Sequence, residues 1–313
     1  MQEWLKTDQH PFLSLLYLVL LAVGGALIFT VVGIAVSILF YGLPDLGGLA
    51  EGELAFPLAH LKVIQIFSSA GMFLVPPFIL ARIESHDVAR YLKLNKRTPA
   101  VLLGMTVLIM ISAMPLLDLT VTINQSMKLP GFLAGVEEWM RQKEKELELL
   151  TKQFLTMNTW GDLALNLFMI AALPALGEEL IFRGCLQRIF TRWFGSYHTG
   201  IWIAAIIFSA IHVQFYGFIP RMLLGALFGY LLVWSNTMWV PVLAHLLNNG
   251  VTVVAAFVYQ QRGQSLDEVT QPSEGTVPMY VGSAVFLGFL LWMFYRYAMR
   301  LRSDFRSDEQ RLA

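Results

Sequence analysis

Glu178, Glu179 and Arg183 stand together in the stretch Pro174-Ala-Leu-Gly-Glu178-Glu179-Leu-Ile-Phe-Arg183. The apolar run ahead of them, Leu163 to Gly177, contains Asn166 as its one strongly polar residue. An ionised side chain at the centre of a bilayer costs roughly 2.5–3.5 kcal/mol on insertion scales, so such a residue marks function by default. On a helix, residues four apart share a face, and Glu179 can pair with Arg183. Glu178 is turned about 100° away and is left free to act as a base. Two further apolar segments carry polar groups: His212 in Phe208-Ser-Ala-Ile-His212, and His245 with Asn249 in His245-Leu-Leu-Asn248-Asn249. The spacing of four puts His245 and Asn249 on one helix face. A carboxylate base, two imidazoles and an amide donor can activate a water and stabilise an oxyanion, which is what hydrolysing a peptide bond needs.

Each residue also has a plainer reading. An intramembrane histidine commonly hydrogen-bonds a neighbouring helix, adjacent glutamates can be balanced by Arg183 and Arg188, and Asn249 can be interhelical glue. The joint occurrence of the set in apolar segments favours chemistry. The same residues leave a metal site open, because Glu178, His212 and His245 would give three ligands and a vacant position. They come from three different segments, so their spacing does not decide between a divalent metal such as zinc and no metal.

The elements that must position this set are membrane spans. The chain has 313 residues, is 56% hydrophobic and only 14% charged, against about 25% charged in a soluble domain. Zero net charge and the lack of a basic stripe exclude a nucleic-acid partner. The one cysteine, Cys185, excludes an intramolecular disulfide. A span needs about 20 apolar residues. Eight segments qualify as candidates: Phe12–Phe40, Val63–Ala81, Ala100–Leu117, Leu163–Gly177, Gly200–Phe218, Met222–Trp234, Trp239–Tyr259 and Val277–Tyr297. The first is too long for a signal-peptide core and reads as a retained span, with Gly24, Gly25 and Gly33 allowing close helix approach. The expected fold is all-α, a polytopic transmembrane helical bundle of about eight spans with interfacial helices.

The chain divides into a three-span region at 1–117, an extramembrane connection at 118–160, the core at 161–260 that carries the polar set, and a last span with a polar tail at 261–313. Within the connection, Phe132–Leu155 patterns as an amphipathic helix lying on the bilayer, with a substrate-gating lid as the other reading. Gln187–Phe194 patterns as a second interfacial helix, its Arg188 and Arg192 at headgroup level. With eight spans the termini share a side, and that side holds 14 of the 22 basic residues. Positive-inside counting therefore puts both termini in the cytoplasm and the chain in the plasma (inner) membrane, in contact with membrane lipid.

The motifs Glu178-Glu179-x-x-x-Arg183, Phe208-x-x-x-His212 and His245-x-x-x-Asn249, in this order, resemble those of the CPBP intramembrane proteases, which include type II CAAX prenyl endopeptidases and bacteriocin-processing or self-immunity proteins. The resemblance covers about Gly161–Tyr259. It implies an intramembrane endopeptidase acting on a membrane-associated peptide or lipidated protein, described in the family as a metalloprotease or as a glutamate protease. It also implies roles: Glu178 with His212 to activate water, Glu179 and Arg183 to hold the motif in place, His245 and Asn249 to bind the oxyanion. A non-catalytic immunity or scaffold protein of the same fold is the alternative. A proton-coupled transporter is disfavoured, since no inverted repeat of spans is visible.

Overall fold

The computed structural model describes residues 9–44, 56–266 and 275–312. Helices account for the architecture, and there is no strand among the described residues. In chain order they are α1 (Pro11–Tyr41), α2 (Leu58–Glu84), the short α3 (Val88–Tyr91), α4 (Ala100–Ser126), α5 (Ala134–Leu155), α6 (Trp160–Phe194), α7 (Tyr197–Ala210), α8 (Phe218–Ser235), α9 (Trp239–Gln261) and α10 (Val277–Leu312). Among the described residues seven helices are long and apolar enough to cross a membrane; the chain is a multi-pass membrane protein with a polytopic helical bundle. The fifth expected span is the exception. It forms α7, a 14-residue helix, about 21 Å long and short of a ~30 Å hydrocarbon core. The helix stops before His212, yet α7 and the segment 211–217 together carry the chain from the end of α6 to Phe215, beside Asn124 at the far end of α4. The start of α1 and the late part of α10 therefore lie at the same end.

Two other helices depart from their expected bounds in ways that bear on the site. α4 runs past Leu117 to Ser126, because Asn124 near its end is buried and engaged: its amide donates to the Phe215 carbonyl at 3.1 Å and its oxygen accepts from Ile219 N–H at 2.8 Å. This bond satisfies a free N–H in the first turn of α8. α6 does not stop at Gly177 but continues to Phe194. Gln187–Phe194 is therefore not a separate interfacial helix. Gln187, Arg188, Ile189, Phe190 and Thr191 are all buried, and only Trp193 and Phe194 emerge. Arg188 does not reach a headgroup because its guanidinium stacks on the Tyr91 ring at 3.7 Å. α5 is largely exposed, with Leu155 as its one buried residue. It docks by Trp139 on Phe215, by Arg141 over the Tyr216 ring and by Glu144, which accepts from Tyr216 N–H at 3.4 Å.

Close helix contacts depend on small residues. A Cβ on Gly25 would lie 2.2 Å from the Gly71 carbonyl oxygen, and one on Gly33 would lie 3.1 Å from Ile64 Cα. Gly24 has nothing within 4 Å, so it plays no part in that contact.

One end of the bundle brings together Arg192, Lys93 and Arg302 with the start of α1 and the late part of α10. Arg192 of α6 pairs with Glu84 of α2 at 2.7 Å and reaches the Gln9 carbonyl at 3.5 Å. Glu84 also accepts from the Tyr91 hydroxyl at 2.9 Å and from Ser14 of α1. Its side chain is wholly buried. At the same end Met238 N–H donates to the Lys93 carbonyl at 3.1 Å, Thr98 meets Thr237 at 2.9 Å, and Arg302 of α10 donates to the Val233 carbonyl.

Candidate active site

The two glutamates lie in an α-helical turn, Leu173–Glu179, set between two π-helical stretches of the same helix, Leu167–Ala172 and Leu180–Leu186. A third π stretch, Ala70–Leu74 of α2, packs beside them. Single π turns inside α-helices widen the backbone and recur at functional sites. The packing is tight here: a Cβ on Gly177 would sit 2.8 Å from Phe73 Cβ.

Glu179 is fully buried and its Oε1 accepts two hydrogen bonds, from Arg183 Nη1 at 2.8 Å and from His245 Nδ1–H at 2.8 Å. Its Oε2 is buried and makes no hydrogen bond among the described residues. Arg183, also buried, sends its Nη2 to the Gly225 carbonyl at 3.1 Å and lies over the Phe208 ring at 4.6 Å. One turn on, Gln187 Nε2 reaches the Gly229 carbonyl at 3.4 Å. Two side chains four apart on α6 thus meet two carbonyls four apart on α8, and the glycines let the helices approach for this to happen. Gln187, Gly225 and Gly229 were not singled out from the sequence, where a lone glutamine and glycines in a span look ordinary.

Glu178 faces away from Arg183, as its position on the helix requires, and is 12% exposed at the side chain. Its Oε2 lies 3.8 Å from His245 Nε2. His245 therefore stands between the two carboxylates. Donation from Nδ1 to Glu179 leaves Nε2 turned toward Glu178. The ring is fixed by Phe228, stacked at 5.5 Å, and by Phe208, edge-on at 6.0 Å.

Asn249, one turn deeper on α9, donates to the Ile170 carbonyl at 3.1 Å, and its oxygen accepts from Asn248. Pro174 explains the first bond. It has no N–H to return to the carbonyl four residues back, which is that of Ile170. The second N–H of the Asn249 amide is left over. The expected oxyanion role is thus not what the first N–H does.

His212 lies in the turn after α7. Its Nδ1–H donates to the Phe208 carbonyl at 2.7 Å, leaving Nε2 as an acceptor. The Phe208 ring stands beside both imidazoles, 5.0 Å from His212 and 6.0 Å from His245. No hydrogen bond or ion pair joins His212 to Glu178 among the described residues; the histidine next to Glu178 is His245. The residue after His212, Val213, has φ 55°, a left-handed conformation that costs a β-branched side chain about 1–2 kcal/mol. Strain of this kind persists where the surroundings over-determine it, commonly at sites.

Arg221, also absent from the sequence reading, enters from the first turn of α8. Its Nη2 donates to Gln214 Oε1 at 2.6 Å while its Nη1 is buried with no hydrogen bond among the described residues. A single arginine at a span edge carries no pattern that sequence reading can detect.

Glu178, His212 and His245 do not fit a three-ligand metal site. Among the described residues no group of three or more His, Cys, Asp or Glu is gathered to hold an ion. His245 Nδ1 is already committed to Glu179, and among the described residues His212 has no hydrogen bond or ion pair to the other two.

Residues 160–251 match the family model described as type II CAAX prenyl endopeptidase Rce1-like. The chain is also 27% identical over 117 residues to a curated Bacillus subtilis protein, printed as uncharacterized protein YpbD. That match covers 36% of this chain and 57% of the relative, so the similarity spans little more than half of the relative's length. No solved structure matches the chain. The matched segment runs from the start of α6 into α9 and contains every residue of the three motifs. Residues 160–251 are thus similar to the type II CAAX prenyl endopeptidase Rce1-like family, the one that the motifs resemble.

Proposed function

We propose that the chain is an intramembrane endopeptidase that hydrolyses a peptide bond of a membrane-associated peptide or lipidated protein. The observation that carries this reading is the order Arg183–Glu179–His245–Glu178. Three of these groups neutralise and orient one another, and the fourth is a carboxylate with no direct cation partner, facing an imidazole nitrogen. A water can touch both Glu178 Oε2 and His245 Nε2. Glu178 takes a proton from that water as its oxygen attacks the peptide carbonyl. His245, held by its Nδ1–H bond to Glu179, turns Nε2 toward the same water. His212 Nε2 is a further acceptor beside Phe208, and the spare N–H of Asn249 is a donor for the oxyanion. Glu178 then returns its proton to the leaving amine.

The substrate belongs to the lipidated or bacteriocin-like class of short membrane peptides, since the family segment is that of a prenyl endopeptidase. The termini face the cytoplasm and the membrane is the plasma (inner) membrane, supported by Lys96, Arg97, Arg188, Arg192, Arg300 and Arg302 at one end of the bundle. A reporter fused after Ala313 is expected to read as cytoplasmic; an extracytoplasmic signal overturns the orientation.

The test of the activity is mass spectrometry of membrane-peptide C-termini from cells carrying the native chain or Glu178→Gln. New C-termini that need Glu178 support the proposal. Identical C-termini, with both proteins present at equal level, overturn it in favour of a non-catalytic role.

A further inference from the structure

A second site lies outside the polar constellation, between the first turns of α4 and α9 and the turn 94–98 that connects to α4. It is a groove of about 660 Å³. Lys96 and Arg97 form its upper rim, both exposed, and no carboxylate pairs with either among the described residues. Below them the wall is apolar, with Leu103 from α4 and Val242 and Leu246 from α9. Trp239 stands at the boundary; its indole N–H donates to the Leu94 carbonyl at 3.1 Å and its ring is partly exposed. Tryptophan in this position marks the level where headgroups meet hydrocarbon. From Trp239 to Leu246 the trough runs about 10 Å down the helix axis.

The local field is positive. Lys93 is buried just behind the rim, and burial first, then Arg302, Arg188 and Lys96, hold its ammonium well below the ordinary lysine range. The groove therefore offers two uncompensated cations above a length of apolar wall, in a chain that spans a bilayer. That is the complement of an amphiphile with an anionic head and an acyl chain. Basic pockets between spanning helices are suited to acidic lipid headgroups.

We infer that this groove, lined by Lys96 and Arg97 over Trp239, Val242 and Leu246, is a binding site for an anionic phospholipid. The inference depends on the membrane reading alone. His245 faces α6 and the neighbouring Leu246 faces the groove, so a lipid seated here leaves Glu178 untouched and peptidase activity can fail without affecting this site.

The experiment uses the purified full chain in neutral detergent, titrated with phosphatidylglycerol or with phosphatidylcholine of the same acyl chains, and read by native mass spectrometry and thermal shift. Phosphatidylglycerol is expected to bind about tenfold or more tightly than phosphatidylcholine. The double variant Lys96→Gln/Arg97→Gln is expected to erase that preference. Because the readout is a ratio of two lipids on one protein, a general loss of stability does not imitate the result. Val242→Trp, which fills the trough and keeps both charges, is expected to weaken both lipids. Equal binding of the two lipids by the native chain, or an undiminished preference in the double variant, overturns the inference. So does inorganic phosphate alone matching the phosphatidylglycerol shift, which would make the site one for a free anion. Displacement of phosphatidylglycerol by a farnesylated peptide at lower concentration than by competing lipid would assign the groove to a lipidated substrate instead.

Discussion

Glu179 Oε1 is shared by Arg183 Nη1 and His245 Nδ1, each at 2.8 Å, so one buried oxygen ties α6 to α9. Breaking a buried pair by removing one partner costs about 3–5 kcal/mol, since the other charge is left uncompensated. Glu179→Gln is therefore expected to lower the melting temperature in detergent and the amount of protein that accumulates. Replacing both members, Glu179→Gln with Arg183→Met, should recover part of that loss. Thermal unfolding of the two singles and the double completes the cycle. Strict additivity would show that the pair is not coupled.

Glu178 is predicted to behave in the opposite way. It has no cation in hydrogen-bond contact and is not needed to balance Arg183. Glu178→Gln should leave the melting temperature close to native while peptide cleavage falls about 10²–10⁴-fold, the span expected for a lost general base. The measurement is turnover of a cleaved peptide by the purified variant. Near-native turnover would reassign the base.

Asn249 and Pro174 are expected to be energetically coupled through the Ile170 carbonyl. Asn249→Ala leaves that carbonyl without its donor, a loss of about 1–3 kcal/mol for a buried acceptor. Pro174→Ala returns a backbone N–H to the same carbonyl. In the Pro174→Ala background the Asn249 change should cost clearly less. An unchanged cost would mean that Asn249 matters for another reason, such as its remaining N–H.

Val213 separates stability from function at the turn after α7. Val213→Gly removes a left-handed valine and is expected to raise stability by up to about 1 kcal/mol, against the entropy that glycine brings to the unfolded chain. The same change frees the backbone that aims His212. Cleavage should fall while the melting temperature holds or rises. A parallel loss of both would show that Val213 packs rather than positions.

Lys93 gives the chain a pH signature. Its ammonium is held well below the ordinary range by burial and by neighbouring cations. The unfolded chain then binds the proton more readily than the folded one, so stability increases as pH rises through the window between the folded value and the ordinary value near 10.4. Melting temperature followed upward from neutral pH should show this slope, and Lys93→Met should flatten it. A variant with the native slope would place the titration elsewhere.

The sequence made the membrane class and the motif residues legible because long apolar runs and intramembrane charges are local signals. The pairing of Glu179 with Arg183 could be read from a spacing of four. The partnership of Glu178 with His245 could not, since it depends on how α6 and α9 are set against each other. Reading α6 as ending at Gly177 placed Glu178 near a membrane edge. The helix in fact continues to Phe194, with Arg188 and Arg192 satisfied inside the protein, and carries Glu178 deep enough to meet His245. The shortness of α7 escaped notice for a related reason: Gly200–Phe218 is apolar throughout, and composition does not report where the helix stops.

Glu84 bears on how the protein is made. Its wholly buried carboxylate is neutralised by Arg192, which lies 108 residues further along the chain. At about 5–20 residues per second, the ribosome delivers that arginine roughly 5–20 seconds after the glutamate. During this interval α1 and α2 are already in the insertion machinery with an acidic group that has no cation from α6. Until α6 arrives, Glu84 has Ser14 and Tyr91 as donors but lacks the guanidinium that neutralises it in the finished bundle, so the latch between α1, α2 and α6 is the last part of this end to be completed.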